Sequence, residues 1–401
     1  MPKKINKKSD APGITQLVED ATLGITDLVE ALHRQILHPP MLPSTPLQDL
    51  LQSLAGITYT QIRQGTRLIS GGLDAVLGHL TPLLSKLGAG PERDTLISVL
   101  NGVVGDYLEQ NANRLAIEMH LRYQFAPVPL DRDRLLAVYP RINGHILVLV
   151  HGSCLNDLHW TRNGHSHGAA LAEELGQTPI YLRYNSGRHI SHNGKSLSAL
   201  LEELVRHWPV PIEQLTILGH SMGGLVTRSA VHYGQQDQKS WTKYLEKMVF
   251  LGTPHHGARL ERFGNFLDVV LASIPYARPF ARLGKIRSAG VTDLRYGNLV
   301  DEDWQGRDRF ARLGDKRTFI PLPQSTACYS IAGTVGKGED PDSALQGGDR
   351  LVDVRSAFGQ HKDSAKDLNF KEAHTWVAFE TSHLDLLGSP EVYAKLKSWL
   401  A

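Results

Sequence analysis

The 401-residue sequence has little cysteine: Cys154 and Cys328 are its only two, too few and too far apart for a disulfide framework. That scarcity fits a reducing compartment, and the expected location is cytoplasmic. No apolar run is long enough to cross a bilayer. The basic opening stretch Met1-Pro2-Lys3-Lys4-Ile5-Asn6-Lys7-Lys8 is not followed by the apolar segment of a secretion signal. The chain also lacks a charge excess, and a formal net charge of +2 gives no reason to expect a nucleic-acid partner. What remains is an ordinary globular composition, 41% hydrophobic, enough for a sizeable core.

The stretch that organises the chain is Gly219-His220-Ser221-Met222-Gly223. Before it, Leu215-Thr216-Ile217-Leu218 suits a buried parallel strand. After it, Leu225, Val226, Ala230 and Tyr233 recur at helical spacing. Strand, sharp turn and helix form the setting of a nucleophile elbow, which pushes a serine Oγ out above a sheet. The competing reading, a chance glycine-rich turn, has no need of the flanking strand and helix.

Toward the N-terminus, Gly13-Ile14-Thr15-Gln16-Leu17-Val18-Glu19 recurs eleven residues on as Gly24-Ile25-Thr26-Asp27-Leu28-Val29-Glu30. Such a period draws an apolar stripe along one helix. The opposite face carries Glu19, Asp20, Asp27 and Glu30, whereas interfacial helices favour lysine and arginine. The stripe is therefore expected to pack on the protein or on a second subunit, with peripheral lipid contact left open. Helical stretches at about 56–86 and 92–110 complete an N-terminal helical extension, 1–114. Alternation from Leu115 to Tyr123 predicts a half-buried antiparallel strand. Apolar runs at 145–150, 180–182, 215–218, 248–251 and 327–331, mostly with helical patterns between, predict an α/β fold with a mainly parallel sheet.

The strand ends carry the chemistry. The 145–150 run leads into His151-Gly152-Ser153, whose next N–H, that of Ser153, can pair with the N–H of Met222 as an oxyanion hole. In this fold the order is serine, acid, histidine. Of nineteen histidines, those before Ser221 are out of order, and His255-His256 leave no room for an acid. Among His361, His374 and His383, only His383 follows the strand-like 374–379 stretch, where a base belongs. The acid falls within Gly347-Gly348-Asp349-Arg350-Leu351-Val352-Asp353, which offers Asp349 and Asp353. Were 349–353 helical, Asp353 would lie about 6 Å further along the axis, too far to replace Asp349.

These pieces, with Leu251-Gly252-Thr253-Pro254-His255-His256-Gly257, make residues 115–401 resemble an α/β hydrolase of the lipase/esterase branch, in the manner of GPI inositol-deacylase-like and bacterial lipase-like proteins. In that pattern the acid segment reads Gly-Asp-Gly-Leu-Val-Pro-Val, which puts the acid at Asp349, with Arg350 and Asp353 in place of the glycine and proline. The resemblance implies a Ser221–His383–Asp349 triad acting through an acyl-enzyme on a small-molecule or lipid ester. No cofactor is required, and adjacent His255-His256 do not match zinc spacing. An insertion at about 253–326 is too long for a bare loop and reads equally as a lid or cap over the site or as a structural subdomain that extends the fold. Phe263, Phe266 and Leu267 are its candidate acyl-binding residues, and Tyr184 a second wall. Acyltransfer, thioester or amide cleavage would use the same triad. A catalytically silent binding or scaffold protein on this fold is the alternative of another class, and oligomeric state is not legible.

Overall fold

The structure is a computed structural model that describes residues 89–139, 141–258, 266–274, 277, 287–309, 314–337 and 347–401. The eleven-residue repeat and the 56–86 stretch lie outside the described residues. In chain order come α1 (Pro91–Gln110), β1 (His120–Tyr123), β2 (Ala126–Pro127), α2 (Arg132–Val138) and β3 (His145–Val150). Next are β4 (Thr161–Arg162), β5 (His165–Ser166), α3 (His167–Leu175), β6 (Thr178–Arg183) and α4 (Ile190–His207). They are followed by β7 (Gln214–His220), α5 (Met222–Gln236), β8 (Leu245–Leu251), α6 (Phe266–Ala272) and α7 (Ala289–Asp293). The last are β9 (Ala327–Gly333), α8 (Val354–Ala357), β10 (Thr375–Ala378) and α9 (Pro390–Leu400).

Eight strands form one sheet in the order β10-β9-β8-β7-β3-β6-β1-β2. From β10 to β6 every pair is parallel, while β1 runs antiparallel to β6, and β2 antiparallel to β1. The parallel strands read as near-continuous apolar runs because helices cover both faces. Leu147, Val148, Leu149 and Val150 of β3 and Leu215, Ile217 and Leu218 of β7 are all fully buried. Each such side chain contributes about 1.5–3 kcal/mol of burial. The chain passes from β3 to β6 on one side and returns to β7 on the other, so the order reverses between β3 and β7. Open α/β sheets bind ligands at the carboxyl ends of strands beside that reversal.

The expected strand over 115–123 is shorter than its alternation suggests. Only His120–Tyr123 pairs in the sheet. Upstream, Asn101 on α1 takes the backbone for itself: its Nδ2 donates to the carbonyl of Leu115 at 2.7 Å, and its Oδ1 accepts from the N–H of Ile117 at 2.9 Å. Helix α1 is itself part of this core, burying Leu96, Val99, Leu100, Val103, Val104 and Leu108 in the same apolar cluster as β3 and β7. Its Gly105 carbonyl accepts from Asn185 Nδ2 at 2.9 Å. The β1–β6 pair is tied down by a buried ion cluster, in which Asp157 receives Arg122 Nε at 2.9 Å and Arg183 Nε at 2.6 Å.

Candidate active site

Ser221 sits between β7 and α5 with φ 54° and ψ −126°, a strained backbone for a residue with a Cβ. It is 2% exposed. The turn is held because its N–H donates to the carbonyl of Leu251 at 2.8 Å. Two glycines let the elbow close. A Cβ on Gly223 would lie 2.2 Å from the carbonyl oxygen of Val150, and one on Gly152 would lie 2.9 Å from Cβ of Ser221. The ends of β3 and β7 thus meet around the serine. Neither the N–H of Ser153 nor that of Met222, first residue of α5, has a backbone acceptor among the described residues. The helix N-terminus adds partial positive charge at the same point.

The candidate base and acid expected from the sequence arrive from the far end of the chain. His383 lies just beyond β10, and its Nδ1 donates to Oδ2 of Asp349 at 2.6 Å. The backbone N–H of His383 also donates to the carbonyl of Asp349, at 3.0 Å. The other oxygen of that carboxylate, Oδ1, accepts from the N–H groups of Leu351 and Val352 at 2.9 and 2.8 Å. Asp349 is 1% exposed, so the two amide hydrogen bonds to Oδ1 and the imidazole on Oδ2 are what compensate its buried charge. With Nδ1 donating, Nε2 of His383 is the basic nitrogen, and it has no partner among the described residues. Ser221, His383 and Asp349 line one cleft of about 90 Å³ with Gly152 and Ser153.

The stretch 349–353 is a tight turn and not a helix. Gly348 pairs with Asp353 across it, and Asp353 stands just before α8. The geometry therefore brings Asp349, and not Asp353, to the histidine. No ion pair links Arg350 to Asp349 among the described residues, so it does not compete with His383 for the carboxylate.

Other residues singled out from the sequence fall elsewhere. Tyr184 is not a wall of the cleft. It is buried against His151, stacking on the imidazole at 4.3 Å and donating its hydroxyl to the His151 carbonyl at 2.8 Å. An aromatic after a strand suits either role, and the tertiary contact with His151 decides it. Phe263 lies outside the described residues, and Phe266 and Leu267 open α6. Val269, Val270 and Ser273, from that helix and its end, line the cleft. His255, His256 and His374 hold structure: His256 Nε2 donates to the Gly359 carbonyl at 2.7 Å and His374 Nδ1 to that of Cys328 at 3.1 Å. Sequence reasoning missed Arg162, Leu155 and Leu384 on the cleft. Arg162, on β4, reaches the site only because the 157–166 excursion folds back on the His383 loop. Its Nη2 lies 3.0 Å from Oδ1 of Asp385.

A mainly parallel sheet with a strained serine elbow at its reversal point, and a histidine–aspartate pair from later strand ends, defines an α/β-hydrolase fold. Residues 142–320 match the family model described as PGAP1-like alpha/beta domain. No curated protein matches the chain. Among solved structures, the mature lipase BlEst2 of Bacillus licheniformis is 18% identical, with 71% of this chain and 98% of that chain covered and a TM-score of 0.44. An esterase of Pyrococcus furiosus is 15% identical over 64% of this chain and 80% of its own, with a TM-score of 0.36. An esterase of Pyrobaculum calidifontis is 12% identical over 77% and 91%, with a TM-score of 0.37. No described helix is long and apolar enough to cross a membrane. Among the described residues no group of three or more histidine, cysteine, aspartate and glutamate side chains could hold a metal ion.

Proposed function

We propose that the chain is a serine hydrolase that cleaves carboxylic esters through an acyl-enzyme. The observation that carries this reading is the 2.6 Å hydrogen bond from His383 Nδ1 to Asp349, which leaves Nε2 basic in the cleft that holds Ser221. Ser221 Oγ attacks the ester carbonyl while His383 Nε2 takes its proton. The carbonyl oxygen, now negative, accepts from the N–H groups of Ser153 and Met222, donors worth about 3–4 kcal/mol each in such sites. His383 then gives its proton to the leaving alkoxide, which departs as the alcohol. Water, deprotonated by the same nitrogen, releases the acid and restores the serine. Asp349 holds the tautomer and stabilises the imidazolium.

Residues 115–401, with α1 packed into the same core, form the hydrolase domain in this reading, with 253–326 as its cap and the α6 face at Val269 and Val270 as the acyl wall. The two cysteines are free and buried, which fits a reducing, cytoplasmic setting. A fluorophosphonate probe and 4-nitrophenyl butyrate test the reading together. Covalent labelling and turnover are expected in the wild type, and both are lost in Ser221→Ala with the fold retained. A folded Ser221→Ala protein that keeps more than about a tenth of the activity removes the assignment.

A further inference from the structure

Arg350 separates the acid Asp349 from Leu351 at φ 84°, in the left-handed region that favours glycine. Its guanidinium is exposed, lines the cleft and has no ion-pair partner among the described residues. The other cation on the cleft, Arg162, is already matched by Asp385 at 3.0 Å. Among the described residues lining the cleft Asp349 is the one carboxylate, and it is engaged by His383 and the Leu351 and Val352 amides. The rim therefore carries one positive charge that no described residue pairs, on a residue whose backbone is strained. Glycine would relieve that strain. Strain kept beside a candidate reacting centre, with no ion pair to a described residue in return, points to a contact with a bound group.

We propose that Arg350 binds an anionic group of the substrate, so that the preferred substrates are esters bearing a carboxylate or phosphate near the scissile carbonyl. The proposal rests on the ester-hydrolase reading. A guanidinium suits the task because its planar fork matches either anion with two parallel hydrogen bonds. Val269, Val270, Leu155 and Leu384 give the same cleft an apolar wall beside its polar groups. The expected substrate is therefore amphiphilic, with the acyl chain on the apolar wall and the charge at the Arg350 rim. The ion pair forms beside exposed solvent, so it is sensitive to salt.

The test compares full-length wild type, Arg350→Gly and Arg350→Lys on three esters. They are neutral 4-nitrophenyl butyrate, mono-4-nitrophenyl glutarate with its carboxylate on the acyl side, and dibutyryl phosphatidate with its phosphate on the alcohol side. In Arg350→Gly, kcat/KM for at least one anionic ester is expected to fall about tenfold or more relative to the neutral ester. Arg350→Lys is expected to recover part of that ratio. Raising salt from about 0.02 M to about 0.5 M should lower the ratio in the wild type and not in Arg350→Gly. The Tm of Arg350→Gly should stay level or rise, because glycine removes the strain. The ester that responds tells whether the anion is a carboxylate of the acyl part or a phosphate of the alcohol part. An unchanged ratio on both anionic esters overturns the proposal, as does a fall in Tm with equal losses on all three esters. Absence of probe labelling and of any turnover in the wild type would instead sink the hydrolase reading itself, and this proposal with it.

Discussion

Nε2 of His220 donates to the backbone carbonyl of His383 at 3.0 Å, so the residue before Ser221 steadies the segment that carries His383. The two rings lie 4.7 Å apart. Burial, reinforced by the nearby His383, holds His220 well below the ordinary histidine pKa, so it stays neutral and keeps this donor. His220→Ala is expected to lower kcat about tenfold, the worth of roughly one neutral hydrogen bond, with a smaller effect on KM. His220→Gln should regain part of the loss by supplying another N–H. Steady-state kinetics on 4-nitrophenyl butyrate measure both, and an unchanged kcat in His220→Ala takes the residue out of the site.

The turn at 349–353 places Asp349 against His383 and Asp353 at the start of α8. Asp349→Asn leaves the shape and removes the charge opposite His383, so kcat should drop by about 10³–10⁴. Asp353→Asn, at the start of α8, should change kcat by less than about tenfold. The reverse order in paired kinetics would transfer the acid role to Asp353.

Buried neutral histidines make the fold acid-sensitive. Burial lowers His151 to about 3 and His167 to about 4, and pushes His220 and His255 well below the usual value. In the unfolded chain each of them binds a proton below about pH 6.5. Below that pH the unfolded state therefore holds more protons than the folded one, and stability falls as pH falls. Each group removes up to about 1.4 kcal/mol per pH unit until its folded pKa is reached. Thermal melts between pH 7 and pH 4.5 should show a steep decline in Tm starting near pH 6.5, and a flat profile down to pH 5 would contradict the burial of these rings.

Chain-length preference follows from the wall that α6 lends the cleft. Lengthening the acyl group from acetate to octanoate should raise kcat/KM, since each methylene buried adds about 0.8 kcal/mol until the wall ends. Val270→Asn places a polar group on that wall and should reduce the octanoate-to-acetate ratio several-fold. A preference for acetate in the wild type would rule out the apolar acyl site.

Much of the sheet was legible because its signals are local. The apolar runs at 145–150, 215–218 and 248–251 are strands β3, β7 and β8, since a strand covered on both faces must be apolar at consecutive positions. The elbow was equally plain, because the glycines that allow Gly223 to approach Val150 sit within a few residues of Ser221. The alternation at 115–119 misled because Asn101, on a distant helix, satisfies backbone groups that a neighbouring strand would otherwise bond. Backbone bonding partners are a property of the folded neighbourhood, and periodicity does not report them.

The sequence by itself determined the order of strands and helices, the elbow at Ser221 and the short set of residues from which an acid and a base could come. Only the tertiary structure decided that Asp349 meets His383, that Tyr184 turns to His151 and that Arg162 and Arg350 border the same cleft. The physical reason is distance along the chain. The elbow's sequence signal, glycines between an apolar run and a helical pattern, lies within a few residues of Ser221, whereas Ser221, Asp349 and His383 come together only when the strands from β3 to β10 pair in register and carry their carboxyl ends to one edge.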